Sequence, residues 1–164
     1  MIACTFDSPI GPLRLVARGD ALAALWLPGR WDDVPDGDAP VLAATRAQLA
    51  AYFAGASLAF DVPLAPEGTS FQHLVWEALV RIPPATTMSY GELAAQIGRP
   101  HAARAVGTAN ARNPIAIIVP CHRVIGANGT LTGYGGGLPT KRWLLDHENR
   151  IQGSFAWPLG AQRT

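Results

Sequence analysis

The Pro63–Gly68 linker divides this 164-residue chain into a part that begins with strand-like patterns and a part with strong helical periodicity, and that division constrains the fold more than any other feature. Before it, apolar residues form short runs between turn signals, which predicts strands at Ile2–Phe6, Leu13–Ala17 and Leu22–Leu27. After it, apolar residues recur at helical spacing. The pattern therefore predicts a small antiparallel sheet followed by a mostly helical domain.

The first domain is expected to add one loop and one helix to this sheet. The segment Arg30–Pro40, rich in Asp, Pro and Gly, predicts the loop. Apolar residues then cluster on one face over Val41–Ala54, which predicts a helix that stops at Gly55. A further strand at Leu58–Val62 would close the sheet. The fold class is therefore α/β (of the α+β kind), with domains at 1–66 and 67–152 and a tail at 153–164.

The second domain opens with a helix whose apolar stripe is continuous. The stripe consists of Phe71, Leu74, Val75, Ala78, Leu79 and Ile82. Pro83 ends this helix, Ser89 is placed to cap a short helix through Ile97, and His101–Ala111 predicts another. Two short helices joined by a glycine-containing turn form a helix-turn-helix pattern, which is also common packing in helical proteins.

Composition excludes several classes of protein. With 49% hydrophobic and 15% charged residues the chain can bury a core, and no apolar run is long enough to cross a bilayer. The N-terminal sequence lacks a signal-peptide pattern, so we expect a cytoplasmic protein with no membrane association. Cys4 and Cys121 are expected to stay free thiols in a reducing compartment, and no histidine spacing predicts a metal site.

Charge is distributed unevenly along the chain. No acidic residue occurs between Glu92 and Asp146, whereas arginines recur there. Such a stretch favours a polyanionic partner, with a solvated basic face as the alternative. Within it, Arg104 projects from the second helix of the pair, among side chains small enough for a close approach to a partner surface. The residues of that helix that can face the core are Ala102, Ala105, Val106 and Ala109.

The strongest candidate for chemistry is Cys121, which lies in the sequence Pro-Cys-His-Arg. The apolar segment Ile115–Val119 before it predicts a buried strand that ends where the cysteine begins. Its neighbours His122 and Arg123 suit a nucleophile, because nearby positive charge lowers the pKa of a thiol. An inert, buried cysteine is the alternative interpretation.

His122 cannot easily contact Cys121 directly, because side chains adjacent in sequence point in different directions. A bridging water is the economical solution, and Glu148 on the last helix could orient the imidazole. Lys141 shares a helical face with Glu148. Between the cysteine and this helix, the glycine-rich loop around Tyr134 suits a planar ligand stacked on the ring, or is a simple turn.

Together these motifs resemble the O6-alkylguanine-DNA alkyltransferases, also called methylated-DNA-protein-cysteine methyltransferases. The matching segments are Pro120–Gly126, Gly133–Leu138, Lys141–Glu148, Ser89–Ala94, Ala103–Gly107 and Asn113–Pro114. They cover residues 68–150 densely and the N-terminal domain loosely. The resemblance implies that alkylated guanine is flipped out of duplex DNA and gives its alkyl group irreversibly to a cysteine, with O4-alkylthymine as a second candidate substrate.

The resemblance implies a role in the reaction for four residues. Cys121 would accept the alkyl group, and His122 would deprotonate it through a water. Glu148 would orient the imidazole, and Asn113 would support the turn that holds the cysteine. No cofactor and no metal are implied, and the zinc site that some relatives hold in the N-terminal domain is expected to be absent.

The resemblance also implies a pocket for the flipped base. Tyr90 would donate a hydrogen bond to a ring nitrogen of the leaving guanine, and Lys141 would assist that polarisation. Tyr134 would stack on the base, and the Gly135 amide would face O6. The carbonyl groups of Val124 and of the reactive cysteine would accept hydrogen bonds from the exocyclic amine.

DNA binding is assigned by the same resemblance to the helix-turn-helix. Its second helix would enter the minor groove with the small residues Ala105 and Gly107, and Arg104 would fill the space left by the flipped base. The expected partner is double-stranded DNA carrying alkylated bases, bound by a monomer. Two alternatives stay open: a related protein that binds lesions without accepting the group, and a cysteine hydrolase, which would need a histidine directly against the thiol.

Overall fold

The computed structural model describes residues 1–152, which form two compact units. The first unit contains Met1–Glu67 together with Pro114–Ala116, and the second contains Gly68–Asn113 and the residues from Ile117 onward. The tail predicted at 153–164 lies outside the described residues. Within residues 1–152, no helix combines the length and the apolar character that a membrane span requires.

The first unit contains a three-stranded antiparallel sheet in the order β1-β2-β3. Its strands are β1 (Ile2–Ser8), β2 (Gly11–Arg18) and β3 (Ala21–Trp26), which confirms the three predicted strands to within two residues at each end. Leu15 and Leu25 face each other across the β2–β3 pair and are fully buried, so the period-2 pattern places them on the core side.

One helix, α1 (Pro40–Ala54), packs on this sheet and confirms the predicted helix. Pro40 occupies the first helical turn, where its missing N–H leaves no hydrogen bond unmade. The helix ends at Gly55, which adopts φ +78° and donates its N–H to the Tyr52 carbonyl at 3.1 Å. Leu49 and Tyr52 are fully buried and supply the core-facing side of the helix.

The prediction of a strand at Leu58–Val62 is wrong, because the structure has none there. A backbone N–H of this segment bonds instead to the side chain of Gln48 on α1, at 2.9 Å. Pro63 has no N–H, so a ladder cannot continue through it. The chain meets the sheet at this point, where the Pro63 carbonyl accepts the Leu22 N–H at 2.8 Å and Leu64 forms an isolated parallel bridge with Leu22 of β3.

The second unit is mostly helical within the described residues. Its helices are α2 (Ser70–Val80), α3 (Tyr90–Gln96), α4 (Ala103–Ala111) and α5 (Leu138–Gln152), and a turn of 3-10 helix spans Cys121–Arg123. Two short strands, β4 (Met88–Ser89) and β5 (Val124–Ile125), pair in parallel. This pairing holds the segment that leads into α3 beside the segment that leaves the 3-10 turn.

Helices α3 and α4 form the predicted helix-turn-helix pair. Ser89 caps α3 as predicted, because its hydroxyl accepts the Glu92 N–H at 3.0 Å while the Glu92 carboxylate accepts the Ser89 N–H at 2.9 Å. Helix α4 begins two residues later than predicted, because Ala102, at φ −103° and ψ 25°, is not helical.

The buried stripe of α4 also differs from the prediction. It consists of Val106, Ala109 and Asn110, which lie at i, i+3 and i+4. Ala105 was expected to face the core but is exposed, because it sits about 100° around the helix from Val106. Ala105 therefore lies on the same open surface of α4 as Arg104.

Candidate active site

A reversal of the chain replaces the strand predicted at Ile115–Val119, and that prediction is wrong. Ile115 forms a single parallel bridge with Leu25 of β3, and the next residues turn. Ile117 adopts φ +72°, which a β-branched residue rarely takes and through which a strand cannot continue. Such a conformation stores strain of about 1–3 kcal/mol and is found most often at functional sites.

Cys121 follows this reversal at the start of the 3-10 turn, and 6% of its surface is exposed. Pro120, at φ −81° and ψ 65°, forms an inverse γ-turn that the Cys121 N–H closes on the Val119 carbonyl at 2.8 Å. The side chain of Asn113 donates to the same carbonyl, also at 2.8 Å. Two donors on one carbonyl oxygen fix the backbone that carries the thiol.

Burial raises the pKa of the Cys121 thiol above its usual value. A hydrogen bond with Asn113 and the charge of Lys141 act in the opposite direction and are outweighed. The expectation that the pKa of this thiol is lowered overall is therefore wrong: neighbouring positive charge does lower it, but burial has the larger effect. At neutral pH the thiol is protonated, and it needs a base before it can act as a nucleophile.

His122 is the candidate for that base. Its Nε2 lies 2.7 Å from Oε2 of Glu148, and both side chains are fully buried. Because a carboxylate accepts hydrogen bonds, Nε2 carries the proton and Nδ1 presents a lone pair. Burial lowers the pKa of His122, although Glu148 acts to raise it, so the imidazole is neutral at neutral pH. Its Nδ1 has no hydrogen-bond partner within residues 1–152.

Arg123 holds the other side of Glu148. Its Nε donates to Oε1 at 2.8 Å and its Nη2 to Oε2 at 3.0 Å, while Nη1 donates to the Ile82 carbonyl at 2.6 Å. Burial alone would raise the pKa of Glu148, but His122 and Arg123 together hold it well below its usual range. Arg123 belongs to the stretch without acidic residues, for which the sequence favoured a polyanionic partner or a solvated face, whereas the structure buries it as the fixed partner of the carboxylate.

Lys141 is buried as well, on the same face of α5 as Glu148. Its Nζ donates to the Val124 carbonyl at 2.6 Å and to the Thr132 carbonyl at 2.9 Å. Burial lowers its pKa to about 8, with a smaller raising effect from Cys121. Lys141 therefore ties the strand after the cysteine to the loop that precedes α5.

Two tyrosines stand near this cluster. The Tyr90 hydroxyl accepts a hydrogen bond from the Thr132 hydroxyl at 3.0 Å. Tyr134 is half-buried, and its hydroxyl oxygen is out of contact with solvent. Burial raises the pKa of Tyr134 well above its usual value, and the nearby charge of Cys121 adds to that rise. Gly135 is exposed, and a Cβ added there would meet no atom within 4 Å.

Asn110 also belongs to the site, although the sequence reasoning did not select it. Its Nδ2 donates to the Cys121 carbonyl at 3.3 Å, so it joins α4 directly to the cysteine. Its Oδ1 is buried without a hydrogen-bond partner among the residues that the structure describes. The signal was present in the sequence, because Asn110 is the polar member of an apolar stripe with Val106 and Ala109.

A surface groove runs along α4 and reaches the first turn of α3. Its lining consists of Tyr90, Ala103, Arg104, Gly107, Thr108, Ala111 and Arg112. Gly107 brings α4 close to α3, since a Cβ added there would lie 3.7 Å from the Tyr90 ring. Arg104 and Arg112 are exposed and give the groove positive charge, while Tyr90 connects it to the Thr132 hydroxyl.

The cluster can perform nucleophilic chemistry with a protonated thiol, a neutral imidazole and a carboxylate that stabilises the imidazolium. Cys121, His122 and Glu148 all come together, and Asn113 and Lys141 lie beside them. Arg104 and Ala105 lie on the open face of α4, apart from this group. Within residues 1–152, no group of three His, Cys, Asp or Glu side chains is arranged to hold a metal ion.

Comparison with known proteins identifies the family of both units. Residues 70–150 match the family model described as 6-O-methylguanine DNA methyltransferase, DNA binding domain. Residues 1–66 match the one described as 6-O-methylguanine DNA methyltransferase, ribonuclease-like domain. Together the two models span most of the chain.

Individual relatives agree with these models. A methylated-DNA–protein-cysteine methyltransferase of Mycobacterium tuberculosis is 56% identical over 150 residues, which cover 88% of this chain and 90% of the relative. One of Methanosarcina acetivorans is 52% identical over 153 residues, covering 90% and 98%. The crystal structure of Mycobacterium tuberculosis OGT in complex with DNA has a TM-score of 0.85 at 54% identity, covering 92% of this chain and 94% of that one. The chain therefore belongs to the 6-O-methylguanine DNA methyltransferase family.

Proposed function

We propose that this protein repairs DNA by transferring the alkyl group of O6-alkylguanine to Cys121, once per molecule. The observation that carries the proposal is the buried pair of His122 and Glu148 next to a buried thiol, in a chain of this family. Relatives that are 52% and 56% identical are named methylated-DNA–protein-cysteine methyltransferase. A relative of 54% identity was crystallised in complex with DNA, which supports DNA as the partner.

The transfer is a single displacement at carbon. The Cys121 thiol gives its proton, through a water, to Nδ1 of His122 as the carbon–sulfur bond forms and the carbon–O6 bond breaks. The electron pair of the broken bond stays on the base, which takes up a proton from solvent water and becomes unmodified guanine in the strand. Glu148 stabilises the imidazolium that forms. No step restores the thiol, so each molecule reacts once.

Groups around the two tyrosines would bind the flipped base. Tyr90 donates a hydrogen bond to a ring nitrogen of guanine and offsets the negative charge that develops there. The half-buried ring of Tyr134 stacks on the base. The exposed Gly135 amide faces O6, while the carbonyl groups of Cys121 and Val124 select the exocyclic amine. The same contacts would leave O4-alkylthymine as a poorer substrate, because it lacks that amine.

Backbone anchors support this pocket. Lys141 donates to the Val124 carbonyl and Asn110 donates to the Cys121 carbonyl, so each guanine-selecting oxygen has a side chain that orients it. Lys141 therefore acts in this proposal by holding the pocket wall, since two hydrogen bonds already direct its Nζ to carbonyl oxygens. The Val124 carbonyl oxygen has two lone pairs and can accept a second donor from the base.

Helix α4 would carry the contact with DNA. Its small side chains line a groove whose exposed cations are Arg104 and Arg112, as a close approach to phosphates requires. Arg104 enters the stack in place of the flipped base, and Ala105 and Gly107 lie against the minor groove.

We place the protein in the cytoplasm as a monomer, because one lesion needs one thiol and a reducing compartment keeps that thiol free.

The proposal is tested by following the mass of the protein after incubation with duplex DNA that contains O6-methylguanine. We expect one methyl adduct per molecule, which peptide mapping places on Cys121. The matched control is Cys4→Ser, which removes the other free thiol and should react like the wild type. Cys121→Ser should bind the DNA without reacting.

Three results would contradict the proposal. DNA binding without any adduct would leave a lesion-binding protein that does not accept the group. An adduct confined to Cys4 would assign the chemistry to the wrong thiol. Repair of more than one lesion per molecule would exclude a stoichiometric mechanism.

A further inference from the structure

The Thr132 hydroxyl donates a hydrogen bond to the phenol oxygen of Tyr90 at 3.0 Å. A phenol has one donor and two acceptor positions, so this bond occupies an acceptor position and leaves the Tyr90 O–H to donate elsewhere. Tyr90 begins α3, and the capping box of Ser89 fixes the backbone there. The Thr132 bond acts at the far end of the same side chain, where it sets the direction of the hydroxyl.

Thr132 is itself held from the opposite side. Its carbonyl accepts from Lys141 Nζ at 2.9 Å, and the same Nζ donates to the Val124 carbonyl at 2.6 Å. The bonds from Lys141 through Thr132 to Tyr90 therefore join the wall of the site to the groove that Tyr90 lines. Thr132 connects the two, because its carbonyl accepts from Lys141 and its hydroxyl donates to Tyr90.

A hydrogen bond accepted by a phenol oxygen polarises its O–H and strengthens the bond that this O–H donates. It also stabilises the phenol oxygen as negative charge grows on it. Both effects matter most when Tyr90 donates to a base that is becoming an anion, as the leaving guanine does. They matter little for a leaving group that needs no hydrogen bond.

We infer that Thr132 is a positioning residue for the alkyl transfer, which aims and polarises the Tyr90 hydroxyl toward the leaving guanine. The inference rests on the proposed function and deepens it. In the transfer, the Cys121 sulfur bonds to carbon, the carbon–O6 bond breaks, and the base keeps its electron pair. Thr132 acts on the last of these events, through Tyr90, and does not touch the reacting atoms.

The test compares Thr132→Val, which keeps the shape and removes the hydroxyl, with Thr132→Ser, which keeps the hydroxyl. In single-turnover reactions with saturating O6-methylguanine DNA, Thr132→Val should transfer about fivefold more slowly, the factor that one ordinary hydrogen bond gives. Thr132→Ser should react at about the wild-type rate. The affinity for DNA, measured by fluorescence anisotropy, should be the same for all three proteins.

A matched control is available in the same loop. Thr130→Val also removes a hydroxyl, which bonds to Asn128 at 2.6 Å, and it should transfer at the wild-type rate. Methyl iodide offers a second comparison, because its leaving group needs no hydrogen bond from Tyr90. Methylation of Cys121 by methyl iodide, followed by peptide mass spectrometry, should proceed equally fast in Thr132→Val and the wild type.

The coupling to Tyr90 gives the decisive readout. In a Tyr90→Phe background, Thr132→Val should cause no further loss, because the bond it removes is already gone. A full additional fivefold loss in that background would overturn the inference, as would an unchanged rate in the single variant or no rescue by serine. If the wild type itself transfers no alkyl group, the proposed function fails and takes this inference with it.

Discussion

Replacing Arg123 with methionine should destabilise the protein strongly, although the side chain lies outside the reacting atoms. The change removes both donors that the guanidinium gives to Glu148, at 2.8 and 3.0 Å, and the donor to the Ile82 carbonyl. Methionine fills similar space but has no hydrogen-bond donor. Glu148, which is fully buried, keeps its charge and loses the cation that balances it.

The size of the effect follows from that burial. Removing one partner of a buried ion pair costs about 3–5 kcal/mol, because the remaining charge is left without compensation. We expect the free energy of unfolding of Arg123→Met at pH 7 to fall by about that amount, which is a large part of the total of a typical domain, about 5–15 kcal/mol. The double variant with Glu148→Gln should lose less than the single one, since no charge then stays buried unpaired.

Urea unfolding followed by tryptophan fluorescence measures these differences. Arg112→Met is the matched control, because it makes the same substitution at an exposed arginine and should change stability by about 0.5 kcal/mol at most. A loss below about 1 kcal/mol in Arg123→Met, or a double variant as unstable as the single one, would refute the reasoning.

The same experiment, repeated at several pH values, has a predicted direction. The folded pKa of Glu148 is depressed, so its contribution to stability is present above the unfolded pKa, about 4.3, and is lost as pH falls through the folded value. Arg123→Met should raise the folded pKa and remove that contribution. The difference in stability between the wild type and Arg123→Met should therefore shrink below about pH 4, and a difference independent of pH would contradict the assignment.

Two further predictions concern the proposed reaction. Arg104→Ala should slow repair in duplex DNA far more than reaction with free alkylated guanine, because only the duplex requires the gap in the stack to be filled; equal losses on both substrates would count against that role. The transfer rate should stay constant as pH falls to 6.5, the ordinary pKa of histidine, and decline only below it, because burial lowers the pKa of His122. A midpoint at or above 6.5 in the rate–pH profile would show that His122 is not the neutral base.

The features of the fold that could be predicted from the sequence are those set by interactions between residues a few positions apart. The capping box of Ser89 and Glu92 and the left-handed stop at Gly55 are read from a few consecutive residues. The segment Ile115–Val119 is different, because an uninterrupted apolar run looks the same in a buried strand and in a buried turn. The positive φ of Ile117 depends on what the chain meets on either side, and no local pattern marks it.

The buried charges could not be predicted for a related reason. Arg123 and Lys141 stand in a stretch without acids, so the sequence counts them with the exposed cations. Their partners lie 25 and 17 residues along the chain, at the Glu148 carboxylate and the Val124 carbonyl. Pairing at that separation is decided by how α5 packs against the 3-10 turn. The exposed charge is therefore smaller than the sequence suggests and is concentrated at residues such as Arg104 on α4.

The opposite pKa shifts of Cys121 and His122 determine how the thiol is activated. Burial raises the pKa of the thiol and lowers that of the imidazole, so the neutral pair is favoured over a thiolate beside an imidazolium. The proton must then move as the carbon–sulfur bond forms, when the sulfur no longer carries a full negative charge. Such a thiol is also a poor target for oxidants, which attack exposed thiolates. A cysteine that reacts once gains from staying protonated until its substrate arrives, and burial provides that protection here.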